Sequence, residues 1–162
     1  MSKKVITFTL DTKEISRAIK DVKTYKKEFI SKTRLFMSQL VDAGVRIASE
    51  EVVELGAFDS GRLADSFQST IMYTDGNGKG IIFTDCPWAA FVEFGTGVVG
   101  EQNPHPTMPW DYDTNNHGDA GWVYFTDGSF HWTKGMPSRP FMYHTALELE
   151  QSVRQIAKEA FG

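Results

Sequence analysis

Glu93 is the residue whose setting most invites chemistry. It lies within Pro87-Trp88-Ala89-Ala90-Phe91-Val92-Glu93-Phe94-Gly95-Thr96-Gly97, an apolar and aromatic run that ends at two glycines. An ionised carboxylate left unpaired in low dielectric costs on the order of several kcal/mol, so Glu93 must find a partner or reach water. It could serve as a buried general base, or as a structural carboxylate fixed by Arg62 or Arg139. No second catalytic group accompanies it, and the structural role is therefore the expectation. The run Asp111-Tyr112-Asp113-Thr114-Asn115-Asn116-His117-Gly118-Asp119 places oxygen ligands at alternate positions, as the start of a calcium loop does. Asn116 stands where the sharp-turn glycine belongs, however, and Trp122 replaces the bidentate glutamate, so a solvated acidic loop is expected. Histidines 105, 117, 131 and 144 show no zinc-binding spacing. Cys86, the only cysteine, has no accompanying His/Asn motif and reads as a small buried hydrophobe. No serine-nucleophile elbow is present, and Asp75-Gly76-Asn77-Gly78 lacks the lysine and helix context of a phosphate loop. The expectation is a protein that is not an enzyme and takes no cofactor and no metal.

The elements that must position Glu93 follow from patterning. The chain has 162 residues, 41% of them hydrophobic and 13% aromatic, which is the length and core content of a single domain spanning residues 1–162. No stretch reaches the roughly 18 apolar residues of a membrane span, and the start lacks a secretory apolar core, so a cytoplasmic origin is expected. The net charge of −4 is unevenly distributed: residues 1–34 carry ten Lys/Arg against four Asp/Glu, and residues 35–162 carry seven against seventeen. Such polarity suits nucleic acid at the basic end, or two unlike surfaces in an assembly.

Val5 to Leu10 reads as a short strand, and Asp11 with Glu14 as a capping box opening a helix. Ile15, Ile19, Val22, Phe29, Phe36, Leu40, Ala43 and Ile47 then recur at helical spacing, with Lys26 and Thr33 interrupting the stripe. Unbroken to Leu55, this helix would be about 66 Å long, against a radius of gyration of about 15 Å for a globule of this size. It must break, with Gly44 the candidate position, or project beyond its own core toward a partner. Ser66 to Thr74 and Lys79 to Asp85 read as a hairpin turning at 75–78, and Trp122 to Thr126 with Ser129 to Thr133 as a second turning at Asp127-Gly128. Val98 to Gly121 is expected as a long loop, making 98–136 a loop and hairpin insertion. After Pro140 a final helix carries the stripe Met142, Ala146, Leu149, Val153, Ile156 and Ala160. The fold class is α+β: a long N-terminal helix, an antiparallel sheet with hairpins, and a C-terminal amphipathic helix packed on the sheet.

Three segments also occur in a familiar order. Asp59-Ser60-Gly61-Arg62-Leu63-Ala64-Asp65-Ser66-Phe67 resembles a TG-R-L-x-x-S-I element, Trp88 to Thr96 resembles Y-A-x-x-V-E-F-G-T, and Ser138-Arg139-Pro140-Phe141-Met142 resembles the x-R-P-F-L that opens a final helix. Together, from about Asp11 to Gly162, they resemble the neck or tail-completion family of long-tailed bacteriophages, the head-tail joining or minor tail components. Asp59, Ser60 and Trp88 depart from the family pattern, and the 98–136 segment exceeds it in length.

That resemblance implies a non-enzymatic virion protein, a homo-oligomeric ring subunit joining head to tail or completing the tail end, made in the host cytoplasm. Its implied partners are other neck, connector or tail proteins, with genomic DNA passing through the lumen without specific binding and no membrane. Within this frame Glu93, paired with Arg62 or Arg139, is expected to fix the turn from which Gly95, Thr96 and Gly97 launch a bridging loop. Trp110, Tyr112, Trp122, Tyr124, Phe130 and Trp132, with Phe29 and Phe36 on the long helix, are the expected contacts to neighbours, since aromatics dominate buried interfaces. The alternative is a nucleic-acid-binding module using Lys13, Arg17, Lys20, Lys23, Lys26, Lys27, Lys32 and Arg34. A carbohydrate-binding surface of Trp110, Trp122 and Trp132 is a third possibility.

Overall fold

The computed structural model describes residues 5–7, 9–57, 59–74, 77–108 and 120–162. Helix α1 spans Thr12–Glu54, 43 residues without a break, or about 64 Å. Gly44 does not interrupt it. A Cβ at Gly44 would collide with Ile82 Cδ1 and come within 3.3 Å of Leu149, so this glycine is where helix, hairpin and C-terminal helix meet at close range. The helix ends in a Schellman arrangement: Gly56, at φ +65°, donates to Val53 O at 3.1 Å, and Ala57 donates to Val52 O at 2.9 Å. Its start lies where expected, but the Asp11 side chain caps nothing, so the capping box is not formed. Val5, Ile6, Thr7 and Thr9 form no strand either, and Val5 and Leu10 are exposed. A single segment without a paired neighbour satisfies no backbone groups, whatever its β propensity.

Strands β1, Phe67–Thr74, and β2, Asn77–Thr84, pair antiparallel with Phe67 opposite Thr84 and Thr74 opposite Asn77. Pairing therefore extends through Asn77 and Gly78, two residues expected in the turn. A Cβ at Gly80 would lie 2.6 Å from Val41, so a second glycine contact brings β2 against α1. Strands β3, Trp122–Thr126, and β4, Ser129–Thr133, form a separate two-stranded sheet joined at Asp127 and Gly128. Both turn residues take positive φ, 50° and 76°, the requirement of a tight hairpin that an Asp-Gly pair meets. The sheet is thus two independent hairpins within the α+β fold.

Between the hairpins, among the described residues, come two short helices, α2, Ala89–Phe94, and α3, Gly97–Gln102. The expected loop at Val98 accordingly begins as helix: the amides of Gly100 and Asn103 donate one turn back, to Thr96 O and Val99 O, while that of Val99 donates across to Lys134 O. Helix α4, Phe141–Phe161, lies against α1 and is tied to it at both ends. His144 Nδ1 sits 3.2 Å from Glu51 Oε2, and Lys32 Nζ donates to the terminal carbonyl of Phe161 at 3.0 Å, a cation where the helix dipole favours one. The buried face of α4 passes through Phe141, Thr145, Ile156 and Ala160. Thr145, whose hydroxyl donates to Phe141 O at 2.6 Å, takes the place assigned to Ala146, which is exposed. A threonine satisfied within its own helix turn can be buried at little cost.

One core joins these parts: Ala48 and Val52 of α1, Leu63, Ala64, Phe67, Cys86, Ala89, Val92 and Phe141. It lies at the C-terminal end of α1. Toward the other end, Phe29 and Phe36 each pack tilted against Phe161, ring centroids 6.0 Å apart, where α4 finishes. Beyond Phe29 the apolar residues Ile19, Val22 and Tyr25 are about half exposed. Residues 12–28 therefore form an arm about 25 Å long that extends past this core, with Ala18 buried on it and Ile19, Val22 and Tyr25 left half exposed.

Candidate functional site: the Glu93 clamp

Glu93 lies in the last turn of α2, and two observations explain why that short helix stops there. Gly95, at φ +82°, reverses the chain, and its missing Cβ leaves room for a neighbouring segment: an added carbon would lie 2.7 Å from Ser138 N and 2.9 Å from Met136 O. Gly97, at φ +58°, is crowded in the same way by Lys134 O and the ring of Trp122. Between them Thr96 exchanges two backbone hydrogen bonds with Met136, at 2.9 and 3.2 Å. Ser138 Oγ donates to Glu93 O at 2.6 Å, and Arg139 N donates to Val92 O at 2.9 Å. Residues 92–97 are thereby zipped along 134–139, directly ahead of α4.

This places the Glu93 carboxylate at the first turn of α4. Oε2 accepts the amide of Met142 at 2.8 Å, and Oε1 accepts that of Tyr143 at 3.1 Å. These amides are among the four that every helix start leaves without an internal partner. The position that would ordinarily supply a capping side chain is Pro140, which has none to offer, and no side chain local to α4 caps it. Glu93 supplies the cap from another element, with its negative charge at the positive end of the helix dipole.

A third donor completes the site. His105 Nε2 lies 3.2 Å from Glu93 Oε1, and both residues are buried. His105 Nδ1 accepts the amides of Thr107 at 3.3 Å and Met108 at 3.1 Å. An imidazole nitrogen that accepts carries no proton, so the ring hydrogen sits on Nε2 and points at the carboxylate. The ring also packs against Phe94 at 5.0 Å and edge-on to Tyr143 at 5.6 Å. With three donors on its two oxygens, the carboxylate is a fixed acceptor. A pocket of about 390 Å³, lined by Phe94, Met108, Phe141 and Tyr143 among others, opens beside it.

The arginines expected to pair with Glu93 are not its partners. Arg62 lies over the ring of Trp88 at 4.8 Å, and Arg139 joins the zipper through its backbone. Backbone amides at a helix start neutralise a carboxylate as a cation does, without marking themselves by residue type. Sequence reasoning also missed His105 as a clamp residue. Its one visible signal was a lone histidine between two prolines, Pro104 and Pro106.

The aromatic residues expected at subunit contacts fall into two separate places. Tyr124, Phe130 and Trp132 lie on the β3-β4 hairpin with 46%, 78% and 59% of their surface exposed, while Trp122 is half-buried against Gly97. Phe29 and Phe36 sit on α1 beside Phe161, Phe29 the more exposed of the two. Trp110, Tyr112 and the candidate cation loop from Asp111 to Asp119 lie outside the described residues. Among the described residues, no cluster of three His, Cys, Asp or Glu is arranged to hold a metal ion. No helix there is long and apolar enough to cross a membrane.

The three sequence elements that order the chain converge on this site. Arg62 of the first touches Trp88 of the second, Glu93 of the second caps the helix opened by the third, and Phe67 meets Phe141 edge-on at 5.6 Å. Compared with known proteins, the chain matches no family model, no curated protein and no solved structure.

Proposed function

We propose that this chain is a structural subunit that self-associates as a ring at the neck or tail end of a tailed bacteriophage virion. The observation carrying this reading is the projecting arm of α1. Ile19, Val22 and Tyr25 repeat on it at helical spacing, half exposed, beyond the end of α4. Burying such a stripe contributes roughly 25 cal/mol per Å² of apolar area, so a helix of this kind is at its most stable against a partner surface. The resemblance of the three ordered elements to neck and tail-completion proteins supplies the biological setting. The Glu93 clamp fits as the joint that holds the start of α4 and the segments around it in one geometry. An acidic majority in residues 35–162 suits a lumen through which DNA slides without sticking.

A basic arm could instead grip nucleic acid. Phosphate backbones offer no apolar surface to the stripe on that same arm, which favours a protein partner. Native mass spectrometry with negative-stain imaging tests the reading: closed rings of identical subunits are expected. Salt-dependent DNA binding at micromolar concentration by a chain that stays monomeric would overturn it.

A further inference from the structure

We propose that the segment from Val5 to Leu10 of one copy adds as a third strand to the free edge of β1 in the next copy. This deepens the ring reading and rests on it, naming the contact by which copies join.

Strand β1 is an edge that the rest of the described chain leaves open. No backbone group of Phe67–Thr74 bonds to any segment but β2, so among the described residues one row of its amides and carbonyls has no protein partner. Open edges are ordinarily protected by charged residues, proline, glycine-bearing bulges or short length. The eight residues of β1, Phe67-Gln68-Ser69-Thr70-Ile71-Met72-Tyr73-Thr74, include no charged residue, proline or glycine. By contrast, β2 carries Lys79 between Gly78 and Gly80, and β3 and β4 stop after five residues each. Of these edges β1 is the one built to accept a strand.

The segment from Val5 to Leu10 is its complement. Its β-branched and aromatic residues favour an extended chain, and it carries no charge. Its described residues make no backbone hydrogen bond, and Val5 and Leu10 are 71% and 93% exposed, with Ile6 half-buried. An open strand edge is matched by another extended chain, because only that presents donors and acceptors at the spacing of the ladder. Hydrogen bonding therefore selects the occupant.

Reach makes the pairing intermolecular. Near the turn end of the first hairpin, Tyr73 pairs with Gly78, and a Cβ at Gly78 would come within 3.4 Å of Met37 Cγ. Met37 and Thr12, where α1 begins, are about 37 Å apart along the helix at 1.5 Å per residue. Residues 5–11, fully extended, reach about 25 Å. The segment therefore cannot lie along β1 of its own chain, and α1 instead carries it past the core toward a neighbour. Two different patches meeting head to tail form a heterologous contact, which closes into a ring when the rotation permits and otherwise runs on as a filament.

The test mixes differently tagged full-length variants, with the buried Cys86 left in place. Neighbouring strand residues point to opposite faces, so one of Ile6→Cys and Thr7→Cys shares a face with the exposed positions Gln68→Cys, Thr70→Cys and Met72→Cys. On oxidation, that one is expected to form mixed disulfides within this β1 set, and none with Lys79→Cys on β2 or Val123→Cys on β3. Neighbouring amides likewise alternate between the two edges, so one of Ile6→Pro and Thr7→Pro removes a donor to β1. It should weaken self-association at least tenfold while the urea midpoint of the folded chain stays near that of the parent. Mixed cross-links to β2 or β3 without any to β1 overturn the pairing, as does self-association that both proline variants leave unchanged. Rings by native mass without a β1 cross-link overturn the pairing and leave the ring reading standing. The β1 cross-link in open filaments supports the pairing and removes the ring. A mixture that stays monomeric and uncross-linked overturns the pairing.

Discussion

Glu93 Oε2 accepts the amide of Met142 at 2.8 Å across a sequence separation of 49 residues. A carboxylate at the end of one short helix thus caps the start of another, whose own cap position is proline. The fold depends on this contact in a measurable way.

Replacing Glu93 with glutamine leaves one oxygen for the amides and turns an NH₂ toward a donor. Losing a cap costs about 1 kcal/mol, and a buried donor without an acceptor adds about 1–3 kcal/mol. Glu93→Gln is therefore expected to lose about 2–4 kcal/mol in urea unfolding, with His105→Ala losing somewhat less. A midpoint equal to the parent's would show that the clamp contributes nothing.

The arginines should behave differently. Arg62 contributes a cation-π contact at an exposed site, worth about 0.5–1 kcal/mol, and Arg139 acts in the zipper through a backbone group that substitution leaves intact. Arg62→Ala and Arg139→Ala are each expected to cost under about 1 kcal/mol, well short of Glu93→Gln. If either matched the glutamate variant, with a double-mutant cycle showing coupling to it, the amide cap would not be the main partner.

Gly95 and Gly128 both take positive φ, 82° and 76°, yet only Gly95 is closely approached by another backbone segment. Alanine in the left-handed region costs about 1–2 kcal/mol at either site. Gly128→Ala should lose about that much, and Gly95→Ala clearly more, because Ser138 N and Met136 O must move. Equal losses, read by thermal and urea unfolding together, would mean that the zipper adjusts freely.

At Gly44 the sign of the effect is informative. In an ordinary helix interior, alanine is better than glycine by about 1 kcal/mol. Here the new methyl meets Ile82 and Leu149, and overpacking costs about 1–3 kcal/mol. Gly44→Ala is expected to be net destabilising, with Ile82→Val restoring part of the loss. Stabilisation by alanine would instead identify Gly44 as a plain helix residue.

What could be read from the chain alone was whatever depends on local periodicity and turn chemistry. The α+β class, the start of α1 near Asp11, the Asp127-Gly128 hairpin and the helix after Pro140 all follow from spacing, proline and positive-φ residues. The importance of Glu93 was legible too, since a charge in an apolar run must be answered. Its answer was not. Backbone amides carry no residue signature, so only the tertiary fold could choose Met142 and Tyr143 over Arg62 and Arg139, and bring His105 in as third donor. The same holds for Gly44, which in sequence looks like a breaker and in space is a contact point, because what a glycine is for depends on what approaches it. Val5 to Thr7 shows the converse: strand propensity without a paired neighbour among the described residues makes no sheet. Sequence determined which segments could form and which residue needed a partner. Tertiary packing decided the partners, because hydrogen bonding and close approach are properties of neighbours in space.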